Sequence, residues 1–276
     1  MIRLNDPSYI SEQYRDNRNL DARIALHQRF STAPRNFPAW VFDHFDWRDT
    51  CTATHAVRCK CNARVLELGC GTGALWSHPE NRERIPGSWQ LTLSDFSYGM
   101  LQSVRSSGMP ARSHSVQVDA QTIPFRAESF DAVVADHMLY HIPDLPRALG
   151  EIKRVLGVGG KLYAATNGAS HMQEYFQFIA KFTGIATPRE PLQFTLENGG
   201  EQLARHFSRV ERIDFEDGLV VTEVEPLVQY ALSGWVGKKW IEPGREAELR
   251  SAISERIERE GAFRITKSVG LFIASQ

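Results

Sequence analysis

The chain has 276 residues, of which 42% are hydrophobic and 24% are charged, and its formal net charge is −1. This composition is typical of a globular protein, and the near-neutral charge argues against a broad basic surface for nucleic acid. The sequence contains no run of about 18 apolar residues and no apolar signal-peptide core, so we expect no transmembrane helix and a cytoplasmic location.

The N-terminal part is predicted to be helical. Residues 8–30 have loosely periodic apolar positions, and the aromatic-rich stretch at 37–47 predicts a second helix. Three cysteines and a histidine, all zinc-ligand types, follow at Cys51, His55, Cys59 and Cys61. Their spacing lacks a paired C-x2-C, so we expect reduced thiols in a loop.

From residue 62 the pattern changes to apolar runs that alternate with helical segments. Five strands are predicted at RVLEL, WQLTLSD, HSVQVD, FDAVVAD and GGKLYAAT. Helices are predicted at 98–107 and at 145–156, the second with Asp144 as its N-cap and Pro146 in its first turn. Short strands separated by helices predict an α/β fold, a doubly wound Rossmann-like sheet built from parallel βαβ units.

After residue 167 the alternation ends. Further helices are predicted in SHMQEYFQFIAKFTG, ENGGEQLARHF, TEVEPLVQYALSG and 243–260, and further strands in VERIDFEDGLVV and AFRITKSVGLFIAS. We predict a single domain with three parts: an N-terminal helical cap at 1–61, a cofactor-binding core at 62–167, and lid helices with the last strands at 168–276.

The stretch VLELGCGTG at 65–73 has the strand–turn–helix character of a nucleotide-binding loop. Gly69, Gly71 and Ala74 match G-x-G-x-x-A, so the glycines alone leave a dinucleotide and S-adenosylmethionine open. Glu67, within the strand, would repel a pyrophosphate, whereas a carboxylate suits the sulfonium and ammonium groups of S-adenosylmethionine.

Two more acids lie at the ends of the next two predicted strands. Asp95 is placed to accept hydrogen bonds from ribose hydroxyls, and Asp119 from the adenine amino group. Taken singly, each acid is better explained as a turn or cap residue. Three acids at three successive strand ends favour S-adenosylmethionine.

These motifs, together with FDAVVADHMLYHIPD and ALGEIKRVLGVGGKLYAAT, resemble the class I S-adenosylmethionine-dependent methyltransferases over residues 62–167. The subgroup is similar to ubiquinone- and menaquinone-biosynthesis and other small-molecule enzymes. The resemblance implies a seven-stranded sheet, mostly parallel with an antiparallel last strand, plus N-terminal helices and a helical lid insertion. It implies S-adenosyl-L-methionine as cofactor, S-adenosyl-L-homocysteine as product, and cofactor contacts from Tyr14, Glu67, Gly69, Cys70, Gly71, Asp95, Phe96, Met100, Asp119, Ala120, Gln121, Asp136 and His137.

Candidate catalytic residues lie in DHMLYH, after the fourth predicted strand. His137 is the better candidate for a general base, with His141 as a second. Alternatively, His137 contacts the cofactor and His141 is structural. The two histidines have the i, i+4 spacing of a metal site, but no third ligand is evident nearby, so no metal is predicted.

We therefore expect S-adenosylmethionine-dependent methylation of a small molecule, at nitrogen or oxygen, with specialised metabolism as one setting. The protein is expected to be a monomer or homodimer that binds neither membrane nor nucleic acid. Three alternatives stay open: an RNA or protein methyltransferase, a non-catalytic S-adenosylmethionine-binding protein, and an NAD-dependent oxidoreductase.

Overall fold

The computed structural model describes residue 15 and residues 18–45, 62–106, 108–185, 192–234 and 241–276. Its strands are β1 (Arg64–Leu68), β2 (Gln90–Asp95), β3 (Ser113–Gln117), β4 (Phe130–Asp136), β5 (Leu156–Asn167), β6 (Arg209–Val221) and β7 (Phe263–Ser275). Its helices are α1 (Arg18–Phe30), α2 (Phe37–Asp43), α3 (Ala74–Ser77), α4 (Pro79–Arg82), α5 (Tyr98–Ser106), α6 (Leu145–Val155), α7 (Gln173–Thr183), α8 (Gly199–Ala204), α9 (Val224–Ser233) and α10 (Glu246–Glu260).

The described strands form one sheet in the order β3-β2-β1-β4-β5-β7-β6. The pairs from β3 to β5 are parallel, whereas β7 runs antiparallel to both β5 and β6. The predicted seven-stranded sheet with an antiparallel last strand is confirmed. Because the strand order reverses between β1 and β4, a ligand crevice is expected at their carboxyl ends.

Both faces of the sheet are covered, which explains why β1 and β4 read as nearly continuous apolar runs. Helix α6 shows how one face is covered. Asp144 caps it by accepting a hydrogen bond from the Arg147 N–H at 3.2 Å. One side of the helix is buried against the sheet through Leu145, Ala148, Leu149, Ile152 and Val155.

The β6–β7 hairpin is longer than the rest of the sheet. Residues 269–275 of β7 pair with β5, whereas 263–268 pair only with β6 within the described residues. Because Val269 pairs with Asn167, the last residue of β5, the hairpin extends past the carboxyl ends of the parallel strands. Helices α1, α7, α9 and α10 pack with this extension in a separate hydrophobic cluster, called the cap below.

Several predictions fall outside the described residues, namely those for Tyr14, Cys51, His55, Cys59 and Cys61. They stay predictions, as does the division of the chain at residues 61 and 167. Within the described part, no helix combines the length and the apolar character needed to cross a lipid bilayer.

Candidate functional site

A cavity of about 660 Å³ lies between the carboxyl ends of the strands and the cap. Most of the residues predicted to bind the cofactor or to act in catalysis line it, although they come from four separate strand ends. These residues are Glu67, Gly69, Cys70, Gly71, Asp95, Phe96, Asp119, Ala120, Gln121, Asp136, His137 and His141.

The loop after β1 requires glycine at two positions. Gly69 has φ +68°, and a Cβ there would lie 2.7 Å from Met138 Cβ. Gly71 has φ +54°, and its Cβ would approach Leu20 Cδ2 at 3.0 Å. Residues with side chains rarely adopt these conformations. The loop leads into α3, a helix of four residues, so it lacks the long helix that binds a pyrophosphate in dinucleotide-binding domains.

Asp95 fixes the edge of this loop. Its Oδ2 accepts a hydrogen bond from the Gly71 N–H at 2.9 Å, and its Oδ1 accepts one from the Ser97 N–H at 2.8 Å. Each carboxylate oxygen retains a lone pair for a further donor, such as a hydroxyl. Burial raises the pKa of Asp95 in spite of these bonds. The carboxylate is therefore held in place but incompletely stabilised.

Glu67, which is buried, and Asp136, which is partly exposed, are two more acids at the same cavity. The Trp76 Nε1–H donates to Glu67 Oε2 at 2.7 Å. Burial, with smaller contributions from Asp136 and Asp95, raises the pKa of Glu67 to about 8. Burial raises the pKa of Asp136 to about 7, and its Oδ1 has no hydrogen-bond partner among the described residues. These carboxyls would be stabilised by a cation in the cavity.

His137 does not supply that cation. Its Nε2 lies 3.9 Å from Asp136 Oδ1, but burial, together with the charges of Lys267 and His141, lowers the pKa of His137 to about 4. The imidazole is therefore neutral at neutral pH. His137 has φ +53°, a conformation uncommon for a residue with a side chain, and its backbone N–H donates to Ala165 O at 3.0 Å.

His141 lies in a short 3-10 turn, Leu139–His141, that follows β4. Its N–H donates to Met138 O at 2.9 Å, and its ring lies 4.6 Å from the Tyr140 ring, centroid to centroid. The turn brings both predicted catalytic histidines to the cavity. Their roles in catalysis stay predictions.

Asp119 and Gln121 form a polar edge at the end of β3. Asp119 Oδ1 accepts from the Gln121 N–H at 2.9 Å, and the Gln121 Nε2 donates to the same carboxylate at 3.0 Å. Gln121 Oε1 in turn accepts from the Asp144 N–H at 3.0 Å. Ala120, between them, is nearly fully buried. This strand end therefore presents a carboxylate and an amide to the cavity.

Phe96 and Met100 have different positions, although both were predicted to contact the cofactor. Phe96 lines the cavity and is 42% exposed. Met100 is fully buried and does not line the cavity, because it shares the inner face of α5 with Val104. The structure therefore does not bring the Met100 side chain to the site.

Sequence reasoning predicted lid helices but missed the polar residues that line the cap side of the cavity. Lys267 of β7, His27 and Arg23 of α1, and Tyr175 of α7 line this side. One signal was available: Lys267 interrupts a series of alternate positions, from Phe263 to Ile273, that are otherwise apolar. The pairing of β6 with β7 and the position of α1 were not evident from local patterns.

Comparison with known proteins agrees with this geometry. Residues 66–164 match a family model described as a methyltransferase domain. The ubiquinone/menaquinone biosynthesis C-methyltransferase UbiE of Xylella fastidiosa (strain M12) is 36% identical over 122 residues, covering 43% of this chain and 47% of that protein. UbiE of Xanthomonas campestris pv. campestris is 31% identical over 157 residues, covering 54% and 60%. The chain thus matches about half the length of these curated relatives.

Solved structures show the same fold across nearly the whole chain. The [4+2]-cyclase SpnF superposes with a TM-score of 0.57 at 18% identity, covering 99% of this chain and 98% of SpnF. A Haemonchus contortus phosphoethanolamine N-methyltransferase 2, in complex with phosphomonomethylethanolamine and S-adenosylhomocysteine, gives a TM-score of 0.57 at 17% identity, covering 100% and 61%. Residues 66–164 thus match a methyltransferase domain, in agreement with the resemblance to class I S-adenosylmethionine-dependent methyltransferases that the sequence motifs indicated.

Proposed function

We propose that this protein transfers the methyl group of S-adenosylmethionine to a small-molecule acceptor. The observation that carries the proposal is the set of three acids, Glu67, Asp95 and Asp136, that line one cavity. Their raised pKa values show that no nearby group fully compensates their charges, and a cationic ligand would do so. The fold alone would not suffice, since SpnF, with the same fold, is named a cyclase.

The residues fit the chemical groups of S-adenosylmethionine. Glu67 and Asp136 would face its ammonium and sulfonium charges, and the partnerless Asp136 Oδ1 marks where a donor or a cation is needed. Asp95 would accept from the ribose hydroxyls, and the Asp119–Gln121 edge would face the adenine. A dinucleotide fits less well, because its pyrophosphate would lie beside the buried Glu67.

When bound, S-adenosylmethionine supplies an electrophilic methyl group on a sulfonium, so the protein contributes mainly by positioning. Asp95, held by two backbone N–H groups, orients the nucleoside side. The cap covers the cavity that Asp136 and His137 line. With its pKa lowered to about 4, His137 remains neutral and acts first as a hydrogen-bonding group; its role as a general base is a separate hypothesis.

The helical cap over the cavity supports a small acceptor rather than a polymer. We further propose that the enzyme is cytoplasmic, has no nucleic acid partner and acts as a monomer or homodimer. From the sequence we expected methylation at nitrogen or oxygen. The relatives named C-methyltransferases extend the proposal to carbon.

Titration calorimetry with S-adenosylmethionine and S-adenosylhomocysteine tests the donor side. We expect binding by the wild type and a loss of at least about tenfold in affinity for Asp95→Asn and Asp95→Ala, the scale of a lost charge-assisted hydrogen bond. Asp214→Asn, a variant of an exposed β6 acid, is the matched control. Unchanged affinity in the Asp95 variants, or binding of NAD instead, would contradict the proposal.

Transfer itself is measured by a screen of metabolites with donor carrying a labelled methyl group. Label in an acceptor is the expected result. If the protein binds S-adenosylmethionine but labels no acceptor, it is a cofactor-binding protein without turnover. Substitution of His137 by Gln then tests the general-base hypothesis, which predicts lower turnover with an altered pH profile.

A further inference from the structure

The two sides of the cavity differ in charge. The side formed by the strand ends carries the acids described above, whereas the cap side carries a lysine and histidines. Lys267, on β7, lines the cavity with a side chain that is 6% exposed. A buried ammonium is costly unless it is paired, so its surroundings indicate what it binds.

The partner of Lys267 is Asp217, which faces it directly across the β6–β7 ladder. The carboxylate of Asp217 is fully buried and is also bound to the segment after α1. Its Oδ1 accepts from the Ser31 Oγ–H at 2.7 Å and from the Thr32 and Ala33 N–H groups at 3.0 Å each. Asp217 is therefore held on the far side of the lysine.

Lys267 retains donor capacity toward the cavity. An ammonium has three N–H donors, and among the described residues Lys267 uses one hydrogen bond, to Asp217. Its Nζ lies 5.4 Å from the centre of the Phe215 ring. The charges and titratable groups that interact around it are Asp217 on β6, Arg23 and His27 on α1, and His137 and His141 after β4.

His27 adds a second unsatisfied group on the same side. Its Nδ1 is buried with no hydrogen-bond partner among the described residues. Burial, followed by the charge of Lys267, lowers the pKa of His27 to about 3, so the ring is neutral. Its ring stacks at 6.0 Å on His171 and meets Tyr230 edge-on at 5.8 Å, measured between centroids. A polar atom of a bound acceptor would satisfy Nδ1.

The walls between these polar groups are aromatic. Phe37 lies 5.2 Å from the His137 ring and 5.3 Å from the Phe215 ring, and Tyr175 meets Tyr230 edge-on at 5.1 Å. An aromatic ring packs well against such side chains. Lys267 lowers the pKa of His137, so the positive charge of Lys267 acts at the residue next to Asp136, where the methyl group is expected.

On the basis of the proposed function, we propose that the acceptor is an aromatic compound with an acidic hydroxyl, and that Lys267 binds its oxyanion while His27 hydrogen-bonds a second polar atom. On binding, the O–H bond breaks, the proton goes to solvent water, and the oxygen keeps the electron pair. The oxyanion, or the ring carbon conjugated with it, then forms the bond to the methyl carbon. The electron pair of the methyl–sulfur bond goes to sulfur; a carbon acceptor finally loses its ring proton to solvent water, and the C–H electron pair returns to the ring.

The balance of charge favours a singly charged acceptor. Lys267 and Asp217 together are neutral, His27 and His137 are neutral as well, and Arg23 adds one positive charge on this side. The ammonium has hydrogen bonds to offer to one oxyanion, and a single surplus positive charge matches one negative charge but not the two of a phosphate dianion. A phenolate or an enolate fits; an amine acceptor leaves Lys267 facing a neutral or like-charged group.

The test uses 4-nitrophenol, whose phenolate has a visible absorption band that the neutral phenol lacks. The wild-type protein, saturated with S-adenosylhomocysteine, is titrated with the probe over a range of pH. We expect bound probe to ionise at lower pH than free probe. We also expect it to bind about tenfold or more tightly than its methyl ether, 4-nitroanisole, the scale of one charge-assisted hydrogen bond. Probe that is bound only as neutral phenol, or not bound, overturns the proposal.

Variants assign the effect to the lysine. Lys267→Arg should retain the shift in ionisation, and Lys267→Met should abolish it. The double variant Lys267→Met/Asp217→Asn removes both charges and guards against misfolding of the single variant. Lys153→Met, on the exposed face of α6, is the control and should behave as wild type. A shift that survives in the double variant contradicts a role for Lys267.

S-adenosylhomocysteine calorimetry on the same samples separates the two proposals. Normal cofactor binding with no phenolate shift rejects the acceptor class alone, whereas absent cofactor binding rejects the proposed function. A phosphate-bearing competitor, phosphoethanolamine, is the comparison ligand. If it displaces the probe through Lys267 and binds more tightly than the phenolate, the site holds a phosphate and the phenolate proposal is wrong.

Discussion

Replacing Glu67 by Gln should stabilise the free protein while weakening cofactor binding. The folded pKa of Glu67, about 8, lies above its ordinary value of 4.5, so the folded state holds the proton more tightly than the unfolded chain does. The carboxyl therefore costs no stability below pH 4.5, and its cost grows as the pH rises toward 8. The linkage relation gives about 3 kcal/mol at pH 7 and less than about 1 kcal/mol at pH 5.

The amide introduced by Glu67→Gln would keep an acceptor for the Trp76 N–H, as the largely protonated carboxyl does at pH 7. We therefore expect urea unfolding to show a gain of about 3 kcal/mol at pH 7 that falls below about 1 kcal/mol at pH 5. Affinity for S-adenosylmethionine should fall by about tenfold or more. Glu216→Gln, on the exposed side of β6, is the control. A stability change independent of pH, or unaltered affinity, would refute the reasoning.

Three further outcomes are expected. Gly69→Ala, whose Cβ would meet Met138 at 2.7 Å at φ +68°, should cost about 2 kcal/mol or more in urea unfolding and abolish S-adenosylhomocysteine binding, whereas Gly87→Ala, in open space, should change neither. S-adenosylmethionine binding at pH 7 should release on the order of one proton, because Glu67 and Asp136, with pKa values of about 8 and about 7, ionise beside a cation. Calorimetry in buffers of different ionisation enthalpy measures the number of protons released, and a value of zero would contradict this prediction. Asp217→Asn should cost about 3 kcal/mol of unfolding free energy by leaving Lys267 unpaired, and an unchanged urea midpoint would argue against a buried pair.

The core of the fold was predictable because local signals and tertiary structure agree there. The apolar runs of β1 and β4 are buried on both faces, and Asp144 caps α6 as its position before the helix suggested. The acids were predictable for a topological reason, since the ends of parallel strands meet at one edge of the sheet. Thus Glu67, Asp95 and Asp119 all reach the cavity.

The parts that escaped prediction depend on helix phase or on long-range pairing. Met100 lies in a helix that was predicted, but its side chain is on the buried face, so proximity in sequence to Asp95 did not bring it to the site. His27 and Lys267 are separated by most of the chain. They are brought to the same side of the cavity because the β6–β7 hairpin extends past the other strands and α1 packs on this extension. No local pattern encodes that arrangement.

The position of Asp217 has a consequence for altering acceptor choice. The residues that match the methyltransferase domain, 66–164, contain the acids of the donor side, whereas Lys267 and His27 lie outside that stretch. In the proposed assignment, donor and acceptor recognition therefore occupy separable parts of the sequence. The acceptor side is nevertheless one unit, because Asp217 bonds both Lys267 and the segment after α1. Exchanging α1 or the β6–β7 hairpin alone with another member of the family would break that unit, and the two segments would have to be transplanted together.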